Sequence, residues 1–325
     1  MWSDRARAAR SHDCKNVPSA TQMDFKAGEG NVSTIRITAI RHSAFYSPVL
    51  ATIAGGFLKE EGLEAVYERA PAGASIPAML REGKCHLSLS AVAVSFAELE
   101  EGKSCDIVHF AQINERDGFF IAGRSPEPEF RWSNLIGKRV LVDHFFQPLA
   151  MLRYGLHRQG VEFDQLQVID AGSVDAMDKA FREGLGDYVH QQGPAPQQLA
   201  RDGIGYPVAA VGDAVGPVAF SSLCATRGWL RSEMAAAFVR AYRKGRGFVL
   251  EATAKEVARL EERFFPNIDP AVLADTIATY QKLGCWTPEV VIPRKAYENL
   301  LDVFLYSGLI NTRHPYEACI VALPG

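Results

Sequence analysis

The sequence predicts an α/β fold of two lobes, each built on a parallel sheet, joined by two chain crossings and completed by a helical C-terminal part. Three observations carry this. From Ile35 to Ala210 short β-like runs alternate with helical stretches, the pattern of parallel sheets covered by helices. The alternation is punctuated near Asn114–Arg124 and again near Pro217–Ala225, where extended segments connect rather than continue a lobe. Beyond Ala225 the pattern is helical. At 325 residues the chain can hold two lobes of ordinary size. The expected division is a tail at 1–32, one lobe from 33–115 and 221–325, and a second from 116–220.

Taken in order, Ile35–Ala39 reads as the first strand. Pro48 opens a helix whose Val49, Leu50, Ile53, Phe57 and Leu58 form one apolar face, and Gly62 stops it. Leu63–Tyr67 is the next strand. Ser75 caps a helix through Ile76, Met79 and Leu80, ended by Gly83. His86–Ser90, a helix over Ala91–Glu101, and Asp106–Gln112 follow. In the second lobe Lys138–Val142, Leu166–Ile169, Asp187–His190 and Pro207–Ala210 are strands. Helices lie over Pro148–Arg158, Val174–Arg182 and Pro194–Arg201. The C-terminal part holds helices over Leu230–Ala252, Ala254–Phe264, Asp269–Leu283 (Asp269 as cap, Pro270 next) and Pro293–Tyr306. No internal repeat or low-complexity run interrupts them.

Composition narrows the function classes. Apolar residues at 47% and charged residues at 22% form an ordinary globular mixture, and a formal charge of −3 lacks the basic excess a phosphate-tracking surface needs. No nucleic-acid partner is expected, and no apolar run reaches the length of a membrane span. Cys14, Cys85, Cys105, Cys224, Cys285 and Cys319 form no CxxC pair or zinc-ligand spacing, so buried reduced thiols are expected. The first thirty residues contain Arg5, Arg7, Arg10 and Lys15 but no apolar block, and Cys14 follows no lipobox. As it stands the chain reads as cytoplasmic with a disordered tail; export would require a different start or a missing signal.

The run Ala44–Leu50 leading into Gly56-Phe57-Leu58-Lys59-Glu60-Glu61-Gly62-Leu63-Glu64 resembles the opening of solute-binding proteins of the sulfonate/nitrate/thiamine-precursor family, a family that also includes yeast-type thiamine pyrimidine synthases. Trp132–Gly137 with Lys138-Arg139-Val140 is similar to that family's second-lobe opening. The resemblance runs from about Ile35 to about Ile310. It implies the bilobal periplasmic-binding-protein fold of type II, a ligand closed between the lobes, and an ABC permease as partner of an exported member.

Strand-end loops nominate the ligand-binding residues, because ligands of such folds sit at the carboxyl ends of the strands. The first loop offers His42, Phe45 and Tyr46, aromatic faces with a hydrogen-bonding tip, although one of them can equally staple the helix. Gly73 and Ser75 precede a helix N-terminus suited to an anion or to a plain turn. Ser90 is either a cleft-facing hydroxyl, as the resemblance implies, or an N-cap. The two crossings add Asn114, Phe220 and Ser221. The second lobe supplies His144, Phe145 and Gln147 after one strand and His190 and Gln192 after another.

Family members that bind anions carry a small, hydroxyl-rich segment where this chain has Asp143-His144-Phe145-Phe146-Gln147. Asp143 would repel an anion at close range. An aromatic, heterocyclic or cationic organic ligand is therefore expected over a simple oxyanion. The pyrimidine synthases use a lysine for pyridoxal phosphate and a cysteine-rich segment. The matching positions here are Ser90 and Gly216–Phe220, which has no cysteine, and a serine forms no Schiff base. No cofactor, catalytic residue or metal site is expected, although His42, His144 and His190 together would be chemically able to hold a metal. Asp175, Asp178 and Glu183 read as a solvated region, and Arg240, Arg243, Lys244 and Arg246 as a basic patch on the long helix. Three readings stay open: the binding component of an ABC-type importer, an enzyme of thiamine-pyrimidine or sulfur-compound metabolism, and a cytoplasmic ligand sensor.

Overall fold

Ten strands form two five-stranded sheets of the same design in the computed structural model, which describes residues 32–71 and 73–325. All but the last residue of the expected tail, and Cys14 within it, lie outside the described residues. The strands are β1 Ser33–Ala39, β2 Leu63–Arg69, β3 Leu87–Ser90, β4 Ile107–Asn114, β5 Phe119–Gly123, β6 Arg139–Leu141, β7 Gln167–Ile169, β8 Tyr188–Gln192, β9 Tyr206–Ala210 and β10 Ser221–Thr226. The first sheet has the order β2-β1-β3-β10-β4 and the second β7-β6-β8-β5-β9.

The sheets are mixed rather than wholly parallel. β1 runs parallel to β2 and β3, whereas β10 is antiparallel to β3 and β4. Likewise β6 is parallel to β7 and β8, and β5 is antiparallel to β8 and β9. The reversed strand is in each case the first one after a crossing. It enters from the other lobe, at the end where the neighbouring strands finish, and so runs against them. The strands buried on both faces, such as β4 and β5, lack the polar alternation of a half-exposed strand.

Local signals set the connections. Gly62 adopts φ 71° and turns the chain into β2. Ser75 accepts from the Ala78 N–H at 3.4 Å and opens the helix Ile76–Arg81. Asp269 accepts from the Ala271 N–H at 2.7 Å and opens Pro270–Leu283. The helix begun near Pro48 ends at Ala54, and a separate turn of helix covers Phe57–Glu60. The Gly55-Gly56 pair breaks it, with Gly56 in the left-handed region.

The largest apolar cluster lies where the lobes meet. Phe45, Phe119, Phe120, Phe220, Tyr280 and Trp286 belong to it, all nearly inaccessible. The crossing at Gly118 passes so close that a Cβ there would lie 2.4 Å from the Phe45 ring. The C-terminal helix Pro270–Leu283 seals this region: the Tyr280 ring packs, tilted, 5.0 Å from that of Phe45, and its hydroxyl donates to the Gly118 carbonyl at 3.1 Å.

The expected basic patch is corrected. Arg246 is buried and donates to the carbonyls of Gln112, Ile113 and Thr287, pinning the end of β4. Arg240 and Lys244 are paired with Glu60, Glu61 and Glu233. A helix-face reading treats every charge as solvated and cannot show that a carbonyl-rich strand end packs against one of them. The five cysteines among the described residues are free and buried. Among the described residues no helix is long and apolar enough to cross a membrane.

Candidate functional site

The strand ends of both sheets converge on a small pocket that opens into a wider cleft. The inner pocket has a volume of about 110 Å³ and the outer cleft about 940 Å³. Ile40, Arg41, Phe145 and Gln192 line both and form the border between them.

The inner pocket is predominantly apolar, with Tyr46, Phe119, Phe145, Phe146 and Phe220 as its aromatic walls. The loop after β1 supplies Tyr46, the end of β3 supplies Ser90, and β5 starts with Phe119. The loop after β6 and the helix Phe146–Arg158 bring Phe145, Phe146, Gln147 and Pro148; β8 ends on Gln192, Phe220 precedes β10 and Ser221 begins it. Burial pushes the Tyr46 phenol up, against the pull of Arg41 and of the Ser221 and Gln192 side chains, so it stays neutral and able to donate. Gln147 Nε2 donates at 2.8 Å to the carbonyl of Phe220, in the crossing just before β10, which leaves Gln147 Oε1 without a partner among the described residues. Ser90 Oγ is also buried without a partner. A buried acceptor left open in this way is what a ligand donor would satisfy.

The border is built on an ion pair between the lobes. Arg41 Nη1 and Nη2 donate to Asp143 Oδ2 and Oδ1 at 2.7 and 3.1 Å. The guanidinium also lies over the Phe145 ring, 4.6 Å from its centre. Asp143 Oδ1 further accepts from the Phe145 N–H at 2.8 Å. Burial alone would raise the Asp143 carboxyl, but Arg41 and the Phe145 amide hold it below its ordinary value, so it is ionised. The expected repulsion of anions by Asp143 thus takes another form: its charge is already neutralised, and it consumes the nearest cation.

The nominated residues separate into three groups. Tyr46, Ser90, Phe145, Gln147, Gln192, Phe220 and Ser221 line the inner pocket. His42 and His144 face the outer cleft. There His42 Nε2 donates to the Phe264 carbonyl at 2.8 Å and Nδ1 is left to accept from Tyr67 at 3.1 Å. His144 Nδ1 donates to the Val142 carbonyl at 2.8 Å, beside Asp170. The remaining five lie on neither surface. Phe45 is fully buried, and its carbonyl receives Asn114 Nδ2 at 2.6 Å and Trp286 Nε1 at 3.1 Å, so both Phe45 and Asn114 serve to fasten the first loop. Gly73 and Ser75 are exposed at a six-residue helix. His190 is fully buried behind Phe119, its ring 4.8 Å away, with neither nitrogen bonded and its pKa lowered to about 4 by burial.

Asp175 and Asp178, read as a solvated region, line the outer cleft, where Asp178 also pairs with Arg182. Among the described residues no three His, Cys, Asp or Glu side chains are placed to hold a metal ion. The residues missed are Arg41, Phe119 and Phe146. The signal for Arg41 was its place one residue before His42, at the end of β1, where a loop residue faces the cleft.

Comparison with known proteins bears on the fold and the family. A family model described as "NMT1/THI5 like" matches residues 44–255. The "Putative binding protein YtlA" of Bacillus subtilis (strain 168) is 26% identical over 299 residues, covering 90% of this chain and 89% of that protein. Among solved structures, the ligand-binding component of an ABC-type import system from Staphylococcus aureus, with zinc bound, superposes with a TM-score of 0.70 at 15% identity, over 89% of this chain and 97% of that one. The alkanesulfonate-binding protein SsuA from Xanthomonas axonopodis pv. citri, bound to MOPS, gives a TM-score of 0.66 at 17% identity, over 90% and 99%. At these identities the structures establish the bilobal binding-protein fold. The matched span covers most of the sequence, and the chain belongs to the NMT1/THI5-like family.

Proposed function

We propose that this protein binds a small organic molecule between its lobes as the substrate-binding component of an ABC-type importer. The observation that carries the reading is the make-up of the inner pocket: aromatic walls, open polar atoms on Ser90 and Gln147, and one guanidinium already matched by Asp143. Such walls favour an uncharged or aromatic ligand over a simple oxyanion. The inner pocket, at about 110 Å³, has room for roughly one small ring or a short branched chain, since a dry cavity of about 150 Å³ takes benzene; a larger ligand would extend into the outer cleft.

Among the described residues no His, Cys, Lys, Asp or Glu lines that pocket, so its hydroxyls, Tyr46, Ser90 and Ser221, have no general base beside them there. This supports binding over catalysis. The importer role draws on the likeness to the Staphylococcus aureus import component and on the name of the Bacillus relative. It implies a permease partner and a place on the outer side of the membrane. The cytoplasmic placement expected from the N-terminal residues would go with an enzyme or sensor instead, and fractionation of the native host separates the two.

The direct test is mass spectrometry of small molecules released on denaturing the purified protein, followed by thermal-shift titration of each. A stoichiometric compound that raises the melting temperature and is recovered unchanged supports the reading. Conversion of that compound to a product overturns it.

A further inference from the structure

Asp143 occupies its site as a bound anion would. Its two oxygens take both terminal nitrogens of Arg41, at 2.7 and 3.1 Å, and the Phe145 N–H, at 2.8 Å. These are the donors that a carboxylate or sulfonate ligand would use at the end of β6. The site is built rather than incidental: the Asp143 side chain is 6% exposed, and Arg41 is held between the rings of Phe119 and Phe145. Pro148, the third residue of the adjoining helix, removes one further amide donor from that helix start.

We propose that Asp143 is a resident counter-ion that fills the anion-binding position of this cleft and makes the protein select against anionic ligands. The proposal rests on the reading of the inner pocket as a ligand site. An incoming anion would have to approach Arg41 while Asp143 remains within hydrogen-bond distance of it, and the two negative charges would compete for one guanidinium in a poorly hydrated setting. Removing the carboxylate reverses the situation. Arg41 and the Phe145 amide are left unmatched at the pocket border, and an anion of suitable size restores what was lost. Specificity is then achieved by a repulsive element, not only by attractive contacts.

The probe is methanesulfonate, a compact monoanion, titrated calorimetrically into the full chain. Asp143→Ala is expected to bind it at least tenfold more tightly than the wild type, and Arg41→Met/Asp143→Ala to fall back to the wild-type level. Asp143→Asn carries the same direction of change, so a folding defect peculiar to the alanine variant does not decide the matter; melting temperatures identify the folded variants. Folded charge-removed variants with no gain, or a double variant that keeps the gain, overturn the role of Asp143. If they do so while the wild type binds an uncharged compound, the pocket reading survives. A wild type that binds methanesulfonate as tightly as the variants overturns the role of Asp143 and the preference for an uncharged ligand, while the cleft stands as a ligand site.

Discussion

The inner pocket and the outer cleft share four residues and little else. The pocket is lined mostly by apolar side chains, five of them aromatic, and its only charged group is Arg41, whereas the cleft holds Arg69, His144, Asp170, Asp175, Asp178 and Arg182. In the cleft some charges, such as Asp178 and Arg182, pair with one another, and others stand partly open to solvent. In the pocket each polar group counts, because an unmatched one costs free energy. The Arg41–Asp143 pair stands on the boundary, and the contrast explains why it is bidentate and overlaid by aromatic rings: it brings a necessary polar link between the lobes to the edge of a dry space without exposing a bare charge to it.

Breaking the rigid side of that contrast should cost most. Phe45→Ala removes a fully buried ring that supports the hinge crossing and the pocket floor, and a loss of about 3–5 kcal/mol in unfolding free energy by denaturant titration is expected. The boundary comes next. Arg41→Ala leaves Asp143 buried and unmatched, at a cost of about 3 kcal/mol near neutral pH. In the wild type the Asp143 carboxyl lies below its unfolded value, so its contribution is present above about pH 4 and disappears as pH falls through the folded value. The difference between wild type and Arg41→Ala should therefore shrink on acidification.

A third prediction concerns the hinge behind the pocket. Asp117 is fully buried, receives the Phe119 N–H on Oδ1 at 2.6 Å and leaves Oδ2 unpartnered; burial, with nearby Asp143 adding to it, pushes its carboxyl up to about 8. Because the folded value exceeds the unfolded one, this group makes the protein lose stability as pH rises from about 4 toward 8. Asp117→Asn should flatten that decline in a melting-temperature series across this range; an unchanged slope would show that Asp117 ionises freely in the folded state. The smallest effect is expected on the surface, where Arg240→Ala breaks its pairs with Glu61 and Glu233 at a cost below about 1 kcal/mol. Equal losses for Arg240→Ala and Arg41→Ala would erase the distinction between boundary and surface.

Much of the architecture was legible because its signals are local. Gly62, Ser75 and Asp269 mark turns and caps through their own backbone or side-chain chemistry. Half of the nominated site residues line the pocket because strand-end position alone places them there. The rest depended on distant partners. Asp143 lies 102 positions from Arg41, so its neutralisation could not be read from its own loop. Asn114 and Phe45 sit in the right segments, but Asn114 turns to the Phe45 carbonyl and Trp286 joins it from 241 positions away. Arg246 looked like surface charge until β4 was seen to present carbonyls to it.

The central claim is that the space between the lobes is a ligand site with Tyr46 in its wall. It is tested most directly by titrating the compound released from the wild-type protein into wild type and Tyr46→Ala, by calorimetry on folded samples. The account predicts one site per chain in the wild type and at least a tenfold weaker affinity in the variant. Equal affinity in both would contradict it.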